Sequence, residues 1–452
     1  MPPLPSNRDT ICALASARGR AGVAIVRLSG PDALAIGWRR FSPRRPLAAP
    51  PPRQMLLGAA LDAAGQPLDD ALLVYFPAGY AGEPTVEFHV HGSPAVVEAL
   101  LTALAETGAR PALPGEFTRR AFLAGRLDLA QAEAVADLIE AKSLAAARAA
   151  YRRLTGALSE KVGALRGLLA QAMAHFEAEI DFPDDDLGEL DRRAAVALLD
   201  QALAGAAALL AGGQRARLLA QGAAVAIAGR PNAGKSSLFN RLAGARRAIV
   251  HETAGTTRDA IETEIELAGA PLRLIDTAGL RGPENEVERQ GVELAREAIA
   301  GADWILYVID GAVGVTPADR QTVGEFDAAR VIPVWNKADL RPPDAAFAEW
   351  RGVAVSAKDG TGVDELRGRL SAALGLDAAA GEALLAAVRH RQLVQTAQAC
   401  LTEARRLALA GAGAELAAVE LREAADALGE IIGETTAEQV LDAVFSRFCI
   451  GK

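Results

Sequence analysis

Gly229-Arg-Pro-Asn-Ala-Gly-Lys-Ser236 follows the short apolar run AAVAIA at residues 223–228 and opens a stretch of helical spacing. Glycines at this spacing between a strand and a helix let backbone N–H groups point inward at the helix N-terminus, where they bind phosphate. Lys235 would reach the outer phosphates and Ser236 would ligate Mg²⁺. Working outward, PLRLID, DWILYVID, RVIPVWN and GVAVSA are further short apolar strands separated by helical stretches. That alternation predicts a mainly parallel sheet covered by helices on both faces. Three strand ends carry companions of the first motif. Asp276-Thr-Ala-Gly279 offers a carboxylate to the Mg²⁺ shell and a backbone N–H to a γ-phosphate. Asn336-Lys-Ala-Asp339 offers a carboxylate to the N1–H and exocyclic amine of guanine, which adenine lacks, and Lys337 can lie over the base. Ser356-Ala-Lys358 closes the pocket. Together they predict a Ras-like GTP-binding domain over residues 220–377, selective for GTP over ATP. Leu280 stands where Ras-like proteins place a water-orienting Gln, so hydrolysis needs another group. AGTTRD at 254–259 occupies the first-switch position, with Thr257 completing the Mg²⁺ shell.

The flanks have a different texture. Residues 1–122 alternate strand-like runs (AGVAIVRLSG, DDALLVYFP, TVEFHVHG) with turns and a Pro-rich connector, predicting an α+β domain. Residues 123–219 and 378–452 are Ala/Leu/Glu/Arg-rich with helical periodicity, predicting one helical domain made from two chain segments with the G domain inserted between them. The acidic DFPDDD at 181–186 reads as a solvated loop rather than a metal site, and His89 and His91 as alternating strand residues rather than a metal pair. The formal net charge of −9 argues against bulk-charge gripping of nucleic acid. Residues 1–126 nonetheless hold 13 Arg and 10 Asp+Glu, read as a solvated surface. Three scattered cysteines give no disulfide framework, and neither a signal peptide nor a membrane span is predicted, so a cytoplasmic protein is expected. Only six of the 48 basic residues are Lys, and three of them (Lys235, Lys337, Lys358) fall in the nucleotide motifs.

PNAGKSSL, AGTTRD, DTAGLR, NKAD and the terminal CIGK, together with PGEFTRRAFLAGRLDLAQAEAVADLI at 114–139, resemble the tRNA-modification GTPases of the MnmE (TrmE) family. The resemblance spans essentially the whole chain. It implies a nucleotide set of Asn232, Ala233, Gly234, Lys235, Ser236 and Ser237. To these it adds His251, Glu252, Thr253, Ala254, Gly255, Thr256 and Thr257 in the first switch, Asp276, Thr277, Ala278 and Gly279, then Asn336, Lys337, Ala338 and Asp339, and Ser356, Ala357 and Lys358. It implies K⁺ held by Asn232, His251, Thr253 and Thr256, driving two G domains together in place of an arginine finger. Glu288 is the implied water-positioning carboxylate. The N-terminal region resembles a dimer-forming, folate-binding domain, with Arg27, Glu87, Arg126 and Lys452 contacting a 5-formyl- or 5,10-methylene-tetrahydrofolate and Cys449 a candidate nucleophile or acid. The implied task is wobble-uridine C5 modification of tRNA by a homodimer working with an FAD-dependent MnmG partner, as a heterotetramer. A ribosome-assembly GTPase or a folate-dependent aminomethyltransferase with an acquired GTPase are the alternatives.

Overall fold

The computed structural model describes residues 9–181, 188–244, 262–277, 296–376, 383–411 and 413–452. The chain divides into two compact units, Met1–Ala136 with Gly429–Lys452, and Asp137–Leu428.

The first unit is built on a seven-stranded sheet: β1 (Ile11–Leu14), β2 (Ala21–Ser29), β3 (Phe41–Pro43), β4 (Leu56–Leu61), β5 (Pro67–Phe76), β6 (Thr85–Gly92) and β7 (Arg110–Pro111), in the order β3-β4-β5-β6-β2-β1-β7. Every pairing is antiparallel except β1 with β7. Period-2 alternation divides its faces. Val26 and Leu28 of β2 and Val86 and Phe88 of β6 point into a core closed by Leu100 and Leu104 of the helix Pro94–Glu106. Each such buried side chain contributes about 1.5–3 kcal/mol. The intervening residues Arg27, Glu87 and His89 therefore share the opposite face.

Glu116 and Arg120, from the PGEFTRRAF stretch, are buried in an ionic lock. Arg110 pairs with Asp9 at 2.6 Å and with Glu116 at 2.5 Å, and Arg120 reaches Asp9 at 2.8 Å and Glu83 at 3.1 Å. Burial alone would raise the Glu116 carboxyl, but the Arg110 hydrogen bond and charge hold it below its ordinary value. Much of that sequence signature thus ties β7 to the helix Glu116–Leu123.

The C-terminal stretch joins this sheet unit, although its helical spacing led the sequence reading to group it with the second helical segment. Phe445 and Phe448 pack with Leu129, Ala132 and Phe122, and Arg119 pairs with Asp442 at 2.9 Å. Gly451 has φ +102°, and a Cβ there would lie 2.1 Å from the Leu14 carbonyl oxygen. The amide of Phe117 then donates to the Lys452 carbonyl at 3.2 Å.

The second unit carries a six-stranded sheet of β8 (Ala223–Gly229), β9 (Glu262–Leu267), β10 (Ala270–Asp276), β11 (Trp304–Asp310), β12 (Val331–Asn336) and β13 (Val353–Ala354), ordered β13-β12-β11-β8-β10-β9. All neighbours are parallel except β9 with β10, the mixed, mainly parallel sheet expected from the sequence. Ala268 and Gly269, both at positive φ, make the two-residue turn joining β9 to β10.

In the same unit the helices Ala157–Asp181, Gly188–Ala211 and Val388–Ala410 pack together. Arg405 pairs with Asp200 across them at 2.5 Å. The stretch Arg192–Gln221 is long and apolar enough, by length and composition alone, to cross a membrane. Its buried Ala195, Leu199, Ala202, Ala206 and Leu209 recur at helical spacing, the pattern of a helix seated on its neighbours. DFPDDD lies outside the described residues except for Asp181, which ends the helix Ala157–Asp181.

One joint links the helical part to the sheet. Ser143 caps the helix Leu144–Leu154 by accepting from the Ala146 amide at 3.1 Å, and its hydroxyl donates to the Gly269 carbonyl at 2.5 Å. Lys142 pairs with Glu264, and Ala145 and Ala149 pack on the sheet core.

Candidate nucleotide site and a second polar face

The phosphate loop forms because β8 is buried along its length and its last residue must turn sharply. Gly229 has φ +143°, and a Cβ there would lie 2.2 Å from the Val308 carbonyl oxygen. Gly234 has φ +88° and caps the helix Lys235–Ala243, and a Cβ there would stand 2.2 Å from Asn336 Nδ2. Asn232 adopts φ +63°, unusual without glycine. A chain so constrained turns directly from β8 into the N-terminus of the helix Lys235–Ala243, a setting that suits phosphate oxygens. Lys235 is buried, with its ammonium donating to the Arg230 carbonyl at 2.8 Å, and Ser236 and Ser237 are exposed at the helix start.

Asn336 joins three loops. Its Nδ2 donates to the Ala233 carbonyl at 2.8 Å, its Oδ1 accepts from the Ala357 amide at 3.0 Å, and its carbonyl accepts from the Gly311 amide at 2.9 Å. The side chain is 2% exposed, so these bonds form away from water, where leaving one unmade is costly. The phosphate loop and Ser356-Ala-Lys358 are thereby registered on one residue. The second of these is held further by Arg241, which donates from Nε to the Ala357 carbonyl at 3.1 Å and also reaches the Lys358 carbonyl. Asp339 is exposed beyond them, its carboxylate free to face a ligand edge.

Asp276 is 1% exposed at the end of β10, and Thr277 donates to the Ile227 carbonyl at 2.7 Å, tying this strand end to β8. The geometry therefore gathers Asn232–Ser237, Asp276, Thr277, Asn336–Asp339 and Ser356–Lys358 at the carboxyl ends of parallel strands, where open α/β sheets bind ligands. His251, Glu252, Thr253, Ala254, Gly255, Thr256, Thr257, Ala278, Gly279 and Glu288 lie outside the described residues. So do most of the residues read as holding K⁺ and half of the Mg²⁺ pair. Asp310, which sequence reading passed over, stands at the end of β11 with its carboxylate 2.7 Å from Lys337 Nζ.

The first unit has its own polar face. Arg27 and Glu87 are direct partners across β2 and β6, and Arg27 Nε donates to Glu87 Oε1 at 2.7 Å. The Arg27 guanidinium stacks 5.7 Å from the ring centroids of both Tyr80 and Phe117. Burial and the nearby Arg27 charge lower the Lys452 ammonium from its ordinary value, while Glu87 and Cys449 pull it the other way. Lys452 therefore shares the electrostatic neighbourhood of that pair, with Cys449 close by and exposed. Arg126 lies beside the same loop as Tyr80, donating to the Gly79 carbonyl at 2.5 Å.

The two strand histidines part company. His89 Nε2 lies 3.7 Å from Glu87 Oε2 with no hydrogen-bond partner, whereas the exposed His91 pairs with Asp69 at 2.8 Å. An orphaned ring nitrogen beside a half-used carboxylate fits a ligand that presents adjacent polar N–H groups, as a pterin edge does.

Comparison with known proteins accounts for the whole chain. Residues 129–449 match the MnmE helical domain, and residues 10–126 match the GTP-binding protein TrmE N-terminus. The tRNA modification GTPase MnmE of Symbiobacterium thermophilum is 44% identical over 98% of this chain and 99% of its own. That of Aquifex aeolicus is 40% identical over 98% of this chain and all of its own. Among solved structures, the G domain of the T. maritima FeoB iron transporter is 26% identical, covering 33% of this chain and 98% of that one, with a TM-score of 0.26. The chain is a GTPase and belongs to the tRNA modification GTPase MnmE family.

Proposed function

We propose that this GTPase modifies the wobble uridine of tRNA at C5, adding an aminomethyl or carboxymethylaminomethyl group with a tetrahydrofolate derivative as one-carbon donor. The observation that carries the reading is the second polar face: an Arg27–Glu87 pair with Lys452 and Cys449 beside it, in the same chain as a complete set of guanine-nucleotide motifs. Glu87 would hold a pterin edge, and Arg27, Arg126 and Lys452 the formyl oxygen or the carboxylate tail of the 5-formyl or 5,10-methylene form. Cys449 would act as nucleophile or acid. In the G domain, Asn232–Ser237 would cradle the phosphates and Ser236 with Thr257 would hold Mg²⁺. Asn336–Asp339 and Ser356–Lys358 would hold guanine.

Hydrolysis proceeds without a glutamine after the DTAG motif. In this reading K⁺ at Asn232, His251, Thr253 and Thr256 supplies the charge that an arginine finger supplies elsewhere, an effect worth about 10³–10⁵ in rate. Glu288 orients the water. The protein works in the cytoplasm as a homodimer with an FAD-dependent MnmG subunit.

The test is nucleoside analysis of tRNA from a strain lacking the protein, complemented by the wild type or by Glu87→Gln. Loss of the wobble modification, restored by the wild type and not by the variant, is expected. Unchanged nucleosides with an altered ribosome profile would instead make this a ribosome-assembly GTPase.

A further inference from the structure

We infer that Asp310 is the residue that positions Lys337, and through it fixes how tightly purine nucleotides are held. Lys337 belongs to the motif read as the base pocket, and the inference rests on that reading. An ammonium on a four-carbon stem has many rotamers, and holding it in one forfeits much of its side-chain freedom. A side chain that is to lie flat along a base needs its head anchored before the ligand arrives.

The structure supplies that anchor. Asp310 is the last residue of β11 and stands directly opposite Asn336, the last residue of β12. Its Oδ1 accepts from the Ala312 amide at 3.0 Å, which fixes the plane of the carboxylate. The other oxygen, Oδ2, lies 2.7 Å from Lys337 Nζ. The two side chains are 16% and 31% exposed, so the pair is shielded without being sealed. Lys337 also has φ +62°, a backbone setting rare outside glycine, held by the Leu340 amide donating to its carbonyl at 2.9 Å. Backbone and side chain are thus fixed independently, by the turn that follows β12 and by the end of β11.

The division of labour has a consequence. Asp339 reads the hydrogen-bonding edge of the base and so decides which base is bound. Lys337, oriented by Asp310, meets only the face of the ring and contributes alike to any purine.

The experiment measures release of fluorescent guanosine and inosine diphosphates by stopped flow from the full-length protein and its Asp310→Asn, Asp310→Glu, Lys337→Met and Asp310→Asn/Lys337→Met forms. Asp310→Asn should release both nucleotides about five- to ten-fold faster, the size of one ordinary hydrogen bond, since the asparagine keeps a neutral acceptor and loses the charge. The factor should be equal for both bases, with kcat at saturating GTP unchanged. Asp310→Glu should recover part of the loss. In the Lys337→Met background the Asp310 change should add nothing, since a group acting only through the lysine has no further route. Release within two-fold of wild type, unequal factors for the two bases, or an additive effect in the double variant would each overturn the inference. Asp339→Asn serves as the separate control: if it leaves guanine preference intact, the base-pocket reading fails and this role fails with it.

Discussion

Replacing Asn336 by aspartate changes one NH₂ group into oxygen and leaves the shape of the site untouched. The Oδ1 that accepts from the Ala357 amide at 3.0 Å is retained, while the Nδ2 that donates to the Ala233 carbonyl at 2.8 Å becomes an acceptor facing an acceptor. With the side chain 2% exposed, water cannot repair the contact, and an unsatisfied buried polar group costs about 1–3 kcal/mol. Nucleotide affinity should therefore fall about five- to 150-fold at neutral pH. The pH dependence follows from the same geometry. Burial raises the introduced carboxyl above the ordinary aspartate value of about 3.9. Its neutral form regains a proton to donate to the Ala233 carbonyl, so the competent state lies below the raised pKa and is lost as pH climbs through it. Titrating fluorescent GDP into variant and wild type between about pH 5 and pH 8 gives the ratio of their dissociation constants, with the carboxyl titrating inside that window when burial shifts it by one or more units. The ratio should be largest at the alkaline end and shrink toward acid. A ratio near one throughout, or one that grows toward acid, would refute the view that this single side chain registers the phosphate loop.

Gly269→Ala should lower the melting temperature, because the turn sits at φ +85° and the new Cβ would meet Ala145 Cβ at 2.8 Å; about 1–3 kcal/mol of destabilisation by denaturant titration is expected. Ser143→Ala removes both a helix cap and a bond to the Gly269 carbonyl, and should cost about 1–2 kcal/mol in the same assay. Timed alkylation of the native protein, followed by mass spectrometry, should label exposed Cys449 first and leave Cys12 unmodified, since burial pushes the Cys12 thiol up to about 11. Labelling of Cys12 at a comparable rate would contradict its place in the core.

The parts of this molecule legible in its sequence are those governed by local rules. Short apolar runs ending in Gly, Asp or Asn announced the parallel sheet, because a strand buried on both faces has no room for polar residues and a phosphate loop needs glycines at fixed offsets. The edge strand β9, with Glu262, Glu264 and Glu266 alternating against Thr263, Ile265 and Leu267, carried a weaker signal and was missed. Asp310 was missed for a different reason: its meaning comes from Lys337, 27 residues further on, and only strand pairing brings the two together. The C-terminal stretch was legible as helix, but helical periodicity reports a local conformation and not which neighbours the helix will cover. Phe445 and Phe448 seat it on Phe122 and Leu129 through contacts more than 300 residues apart in the chain. Arg27 and Glu87 were named through resemblance, and register shows why they act together: odd-numbered residues of β2 and β6 face the same way and these two are opposite each other.

The grip of Ser143 on the turn between β9 and β10 carries one more implication. β10 is a ribbon that ends at Asp276, beside the phosphate loop's strand β8, and begins just after Gly269, whose carbonyl is held by the helical part of the unit. At about 3.3 Å per residue it works as a push-rod roughly 20 Å long. Because β10 is laddered to β8 on one side and β9 on the other, a shift of Asp276 that moves this part of the sheet as a body also moves the turn that Ser143 holds. The helical part is thus mechanically coupled to the sheet that carries the phosphate loop, and the hydroxyl of Ser143 is one of the pins.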